Sequence, residues 1–439
     1  MSGIESGLDF HREMYNRRAG RQIKIEEAIE LCRDHISRVM QIRNATDLRD
    51  SSEAVRANIT AYLLSSSLRI YGYPEITAAA GDIVEDICGY GPLSDAMADP
   101  DVTDIHCVDY RTVFIERRQG GGEKEVYRKV FRSPQHFAHF IERLLREAGK
   151  TINLGEETIV DFEIGEHRGN VTHPAISVRD FSLDIRKHGQ FALTVDDLIA
   201  GNIMSAEMAE FIRLIVDGRG NCVVAGQTGS GKSTDLKVFC EKFMADRRII
   251  VCEDTRELNL ANPHVVELVA RKSENRAIAV PLDRLVYTAL RKKPDYIVIG
   301  EVRGPEAVGA IEAMETDHST FVTIHAGGPH DVVNRLMEKY LTYVSGMNVT
   351  MALQKIARSV NFVIRKASNK RIGRKIVAVT ELGYDYRNHD VTVNPIFRFD
   401  FKAGQFRRVG AISERMQEKF LTKGADPVVV EHFGRLPTC

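Results

Sequence analysis

The segment Gly226-Gln227-Thr228-Gly229-Ser230-Gly231-Lys232-Ser233 lies between an apolar run, Cys222 to Ala225, and a helical run that opens at Thr234. A G-x-x-x-x-G-K-S pattern in that strand, loop and helix setting fixes a local backbone before anything else in the chain is considered. The glycines let the chain curl so that successive N–H groups face an anion, and the helix start adds its positive end. Lys232 is placed to reach the β and γ phosphates of a nucleotide, the Ser233 hydroxyl to ligate Mg²⁺, and Gly226 through Thr234 to form the binding loop. At ordinary glycine usage the pattern arises by chance in on the order of one chain in a hundred of this length, before the flanking strand and helix are required. A glycine-rich turn without ligand is the poorer reading.

Composition narrows what such a loop can belong to. At 439 residues the chain exceeds what one core usually organises, so several domains are expected. Lys plus Arg total 60 against 61 Asp plus Glu, and the net charge of −1 offers no global field for gathering nucleic acid. No apolar run is long enough to span a bilayer, and Met1 to Arg18 is too polar for a secretory signal. A cytoplasmic protein, or one peripheral on the inner membrane face, is expected. The seven cysteines form no Cys-x-x-Cys pair, which argues against a zinc ribbon or a disulfide framework.

Hydrophobic periodicity divides the chain. Ile25, Ala28, Ile29, Cys32, Ile36, Val39 and Met40 recur at helical spacing, so residues 1–80 read as a helical bundle. From Gly89-Tyr90-Gly91-Pro92 onward, short segments predict strands at Asp104 to Val108, Val113 to Glu116, Glu125 to Phe131, Ser177 to Val178 and Ser182 to Arg186. Gly120-Gly121-Gly122 marks a turn, and the stretch from Pro134 to Ala148 is amphipathic. Residues 81–188 therefore read as a mixed α/β domain, and 189–201, with glycine at both ends and no strong period, as a linker. Beyond it the runs Cys222 to Ala225, Ile249 to Cys252, Tyr296 to Ile299 and Phe321 to Ile324 alternate with helical stretches, so 202–439 reads as α/β with a buried parallel sheet.

Two of those strands end in acids. Ile249 to Cys252 runs into Glu253-Asp254, and Tyr296 to Gly300 into Glu301. Ligands collect at the carboxyl ends of parallel strands, so these acids are expected to converge on the phosphates. An acid after one apolar strand is usually a solvated loop residue; the loop at Gly226 tips both toward function. His318 and His325 bracket another strand, without partners at metal-ligand spacing.

The ordered set of the loop, Glu253-Asp254-Thr255-Arg256-Glu257-Leu258, Gly300-Glu301-Val302-Arg303-Gly304 and Thr323-Ile324-His325-Ala326 resembles the secretion ATPase superfamily, the motors of type II secretion, type IV secretion and type IV pili. Upstream, Gly89-Tyr90-Gly91-Pro92-Leu93, Asp99-Pro100-Asp101-Val102-Thr103-Asp104-Ile105 and Ile185-Arg186-Lys187 resemble the amino-terminal domain of the Tad (tight adherence) pilus assembly branch. Thr316-Asp317-His318 stands where the family writes Thr-Gly-His.

The resemblance implies a RecA-like ATPase domain behind a PAS-like mixed α/β domain and an amino-terminal helical bundle, assembled as a homo-oligomeric ring, a hexamer. It implies Mg²⁺ with ATP, and hydrolysis that powers pilus assembly or protein secretion through an inner-membrane platform protein; no nucleic acid is expected, because the net charge is near zero and no basic stripe interleaved with aromatics is present in the sequence. By matched position it implies Glu253 as general base, Glu301 as Mg²⁺ support through water, His325 as γ-phosphate sensor, and Arg168 and Arg186 as nucleotide-binding residues. Arg271, Arg276, Arg284 and Arg303 are further candidates for charge stabilisation. The alternatives are a conjugation or type IV export motor and, less favoured by charge, a nucleic-acid translocase.

Overall fold

The computed structural model describes residues 21–40, 51–118, 123–153, 157–187, 193–271, 275, 277–316, 318–369 and 371–437. They divide into two compact units, those up to Lys187 and those from Leu193 onward. The predicted turn at Gly120 to Gly122 lies outside the described residues, as do Arg276, Asp317, Cys439 and the first part of the expected linker.

The first unit opens with β1 (Gln22–Ile23), α1 (Ile25–Val39), α2 (Ser52–Ser65), β2 (Arg69–Ile70) and α3 (Ile76–Cys88). The helical spacing turns Ala28, Ile29, Cys32 and Ile36 of α1 against Val55, Ile59 and Leu63 of α2, and β1 pairs with β2 in parallel. Helix α3 runs across position 80 because its buried face continues through Ile83, Val84 and Ile87. After α4 (Ser94–Ala98) come β3 (Val102–Asp109), β4 (Thr112–Arg117), β5 (Lys124–Tyr127), α5 (Pro134–Glu147), β6 (Ile159–Ile164), β7 (His167–Thr172) and β8 (Ser182–Arg186). These strands form one antiparallel sheet in the order β5-β4-β3-β8-β7-β6, packed through Ile105, Val113 and Leu183 against Phe137, Ile141 and Leu144 of α5.

Two predicted strands in this unit fall short. The run expected through Phe131 leaves the sheet at Tyr127: Phe131 donates its amide to the Tyr110 carbonyl at 2.9 Å and buries its ring against Phe137 and Phe140. Ser177 to Val178 is no strand; the amides of Ile176 and Ser177 both bond to the His173 carbonyl, a turn that leaves Val178 fully exposed. Two residues carry no period, so the sequence signal there was too short to separate strand from turn.

The second unit contains α6 (Val195–Ala200), α7 (Ala206–Asp217), β9 (Cys222–Gly226), α8 (Lys232–Phe243), β10 (Ile249–Glu253), β11 (Val265–Val269), α9 (Leu282–Leu290), β12 (Tyr296–Ile299), α10 (Glu306–Glu315), β13 (Ser319–Ile324), α11 (Pro329–Tyr343), α12 (Val349–Ser359), β14 (Phe362–Asn369), β15 (Gly373–Asp385), β16 (Asp390–Asp400), β17 (Gln405–Arg408), α13 (Glu414–Thr422) and α14 (Pro427–Gly434). The sheet order is β11-β10-β12-β13-β9-β14-β15-β16-β17, parallel through β14 and antiparallel beyond it. Alternate residues feed two cores: Cys222, Val224, Ile249 and Val251 face one side, Val223, Ala225, Ile250 and Cys252 the other. Burial on both faces is why these strands read as unbroken apolar runs. The result is α/β, a mostly parallel sheet with helices packed on both faces and the glycine-rich loop at the end of β9, as the motifs predicted.

The expected linker is helical in its later part. Thr194 and Asp197 form a reciprocal capping box at the head of α6, and Val195 and Leu198 enter the core of the second unit.

Candidate functional site

Every element that shapes the site belongs to the second unit, and the site starts where β9 ends. Gly226 admits no side chain, since a Cβ there would lie 2.6 Å from the Lys366 carbonyl oxygen and 2.8 Å from Ser230 Oγ. Gly229 and Gly231 take φ of +71° and +88°, the left-handed region that favours glycine. Ser230 closes the turn by donating its amide and its hydroxyl to the Gln227 carbonyl, at 3.3 and 2.7 Å. The left-handed glycines and the amino end of α8 give the loop the backbone features that favour an anion.

Lys232 opens α8 nearly enclosed, at 7% exposure. Its Nζ donates to the Gln227 carbonyl at 3.0 Å and stands 3.5 Å from His325 Nδ1. Burial pushes the lysine down to about 8, against the opposing pull of Glu301 and Glu257. Ser233 donates its hydroxyl to Glu257 Oε2 at 3.0 Å.

Glu253, the last residue of β10, is 2% exposed. Its Oε1 accepts the amides of Glu257 and Leu258, each at 3.1 Å, while Oε2 is enclosed with no hydrogen-bond partner among the described residues. Burial outweighs those two amides and raises the carboxyl to about 7. Gly300, just past β12, makes room for it: a Cβ there would lie 2.9 Å from Glu253 Cγ. The next residue, Glu301, is held from two sides, with Oε1 2.9 Å from His325 Nε2 and Oε2 paired with the Arg303 guanidinium. The other ring nitrogen, Nδ1, faces the Lys232 ammonium and the Thr228 hydroxyl, each at 3.5 Å. Burial and then the Lys232 charge hold this histidine below its ordinary value.

The parallel strands β9, β10, β12 and β13 therefore bring Lys232, Ser233, Glu253, Glu301 and His325 to their carboxyl ends. Gln227, Thr228, Gly229 and Thr234 are exposed around the loop, and Asp254 points to solvent. His318 precedes β13 and His325 follows it, so the two sit at opposite ends of a strand roughly 20 Å long. Arg271 and Arg284 are exposed, the first joined through its backbone to Val280. Arg168 and Arg186 belong to the first unit, opposite each other on β7 and β8, with Arg186 Nε 2.8 Å from Asp104.

Three residues in the site had no assigned role in the sequence reading. Glu257 was signalled only as part of the segment after Glu253, and the structure sets it on Ser233. Asp235 and Lys366, 131 residues apart, pair beneath the loop, and no local pattern announces a contact at that separation.

A family model described as "Type II/IV secretion system protein" matches residues 169–382, which takes in β9 through β14, most of β15 and, of the groups above, all except Arg168 and Asp104 of the first unit. An uncharacterized protein of Methanocaldococcus jannaschii is 25% identical over 347 residues, covering 77% of this chain and 61% of that protein. The conjugal transfer protein TrbB of Rhizobium radiobacter is 31% identical over 180 residues, 40% of this chain and 54% of TrbB. This chain thus spans a little over half the length of both relatives. Among solved structures, the ATPase DotB of Yersinia pseudotuberculosis is 15% identical with a TM-score of 0.47, covering 76% of this chain and 81% of DotB. The ordered motifs, the strand-end acids and the family model agree: over residues 169–382 this chain is similar to the type II/IV secretion system protein family.

Proposed function

We propose that this chain is a motor ATPase that hydrolyses ATP to drive pilus assembly or protein secretion, working as a homohexamer on the cytoplasmic face of the inner membrane with a membrane platform protein. The observation that carries the reading is Glu253: one oxygen is fixed by two backbone amides, and the other is enclosed and uncommitted beside the phosphate loop.

The donor set suits Mg²⁺ with ATP. The loop amides and Lys232 would take the phosphates, and the Ser233 hydroxyl and Glu301 would hold the metal, with Glu257 steering Ser233. When bound, Mg²⁺ would neutralise charge on the β and γ oxygens. Glu253 Oε2 would accept the proton of the attacking water, its position set by the two amides on Oε1. His325 joins Glu301 to Lys232 and so couples the acid to the phosphate cradle.

Phosphate release from purified protein tests this. Lys232→Ala is expected to abolish hydrolysis without lowering the melting temperature, and Glu253→Gln to keep Mg-ATP affinity while losing turnover by at least about 10²-fold. Wild-type turnover in Lys232→Ala overturns the nucleotide reading; retained activity in Glu253→Gln moves the base elsewhere, with Asp254 the first candidate.

A second reading, an export motor of the conjugation kind, has the name of the TrbB relative in its favour. The resemblance of residues 89–105 to the Tad branch favours pilus assembly. Deleting the gene distinguishes them: loss of surface pili supports the first, loss of conjugal transfer with pili intact the second.

A further inference from the structure

Beneath the phosphate loop lies an ion pair with no access to solvent. Lys366 and Asp235 have side chains only 2% and 0% exposed. Lys366 stands on β14 where that strand's register with β15 shifts, and opposite Gly226 in the pairing with β9. Its backbone oxygen packs under Gly226, at the place a Cβ would occupy. Its Nζ donates to the Gly231 carbonyl at 3.2 Å and to Asp235 Oδ1. One residue therefore touches the first and the last glycine of the loop and the first turn of α8. The Gly231 carbonyl also accepts the Asp235 amide at 3.1 Å, so the ammonium grips the bond that starts the helix.

Asp235 makes this grip matter. A carboxylate in the first turn of a helix interacts well with the helix dipole, but here it is enclosed behind a site built for anions, where it repels what the amides attract. Its Oδ2 is enclosed with no hydrogen-bond partner among the described residues, so no amide disperses that charge. The cations acting on it are Lys366 and, at longer range, Arg374 of β15.

We propose that Lys366 is a positioning residue for the phosphate loop: it clamps Gly231 against Gly226 and neutralises Asp235, so that the loop amides rather than a buried carboxylate set the field at the phosphates. The inference rests on the nucleotide reading given above and adds to it a group that touches no ligand.

Breaking one member of a buried pair leaves an uncompensated charge, whereas replacing both by apolar side chains is often tolerated. Affinity for Mg-ADP and Mg-ATP, measured with fluorescent analogues on protein shown by melting to be folded, is expected to fall more than about tenfold in Lys366→Met. The double variant Asp235→Leu/Lys366→Met is expected to bind more tightly than Lys366→Met but less tightly than wild type, since the buried charge is gone while the clamp on Gly231 is not restored. Asp235→Asn, which removes the anion and keeps the clamp, is expected to bind at least as tightly as wild type. A purely structural role would instead cost affinity in both single variants. Equal losses in Asp235→Asn and Lys366→Met, or an unchanged Lys366→Met, overturn the proposal while leaving the nucleotide reading in place. Wild-type protein without affinity for either nucleotide overturns both.

Discussion

Glu253 and Lys232 approach neutrality from opposite sides, and for the same reason: each is an ionisable group drawn out of water, and desolvation disfavours the charged form. The carboxyl is raised to about 7 and the ammonium lowered to about 8, yet the proposed chemistry needs both charged. Below about 7 Glu253 takes up the proton that a base must lack; above about 8 Lys232 gives up the charge that holds phosphate. The rate profile of kcat/KM, which reports the free protein, is therefore expected to be a narrow bell with limbs near those two values. In kcat the alkaline limb should move upward, because bound phosphates favour the ammonium. Steady-state phosphate release across the range at saturating Mg²⁺ checks this. A kcat/KM plateau extending from about pH 5 to 10 would remove both groups from their assigned roles.

At the scale of elements, the carboxyl ends of β10 and β12 are adjusted to each other through a missing side chain. A methyl at position 300 would lie 2.9 Å from Glu253 Cγ and 3.1 Å from its Oε1, so Gly300→Ala must push the carboxyl off the amides of Glu257 and Leu258. A displacement of about 1 Å can cost on the order of 10²-fold in rate. Turnover in Gly300→Ala should fall by that order while Mg-ATP affinity stays within about threefold, since Lys232 and the loop are untouched; an equal fall in affinity would mean that the loop itself had moved. The same pair shows what a sequence can disclose. Gly300-Glu301 and Glu253-Asp254 were legible because a parallel strand buried on both faces announces itself as an apolar run, and its next residue inherits a known end of the sheet. Thr194 and Asp197 were legible in principle, a capping box inside what was read as linker, but six helical residues offer too little period to notice. The antiparallel strands β15 to β17 were not placed, because they mix buried and exposed residues instead of forming unbroken apolar runs, and their partners are fixed by turns, not by composition. Lys366 reaches Gly231 only because β14 pairs with β9, a fact of topology that no window of sequence contains.

Across the whole chain, the second unit holds the phosphate loop and the strand-end acids together with a core on each face of its sheet, from Phe211, Phe239 and Phe362 on one side to Val286, Ile311 and Leu336 on the other. A fragment of residues 193–439 is therefore expected to fold cooperatively and to bind Mg-ATP within about threefold of the full chain, because no group described in the loop lies before residue 193. Turnover is a separate matter. The family resemblance assigns Arg168 and Arg186 of the first unit to the nucleotide, and an arginine that stabilises charge in phosphoryl transfer can be worth about 10³ to 10⁵ in rate. The fragment should then hydrolyse ATP far more slowly than the whole chain, although its affinity is preserved. Arg186→Ala in the full-length protein is expected to reproduce much of that loss with the oligomer unchanged by light scattering. In that variant Asp104 loses the guanidinium now 2.8 Å away, so Asp104→Asn serves as the control for damage confined to the sheet of the first unit. If the fragment matches the full chain at saturating ATP, the first unit takes no part in catalysis. Its arginines then serve its own sheet, and the role left to it under the proposed function is docking on a membrane platform protein.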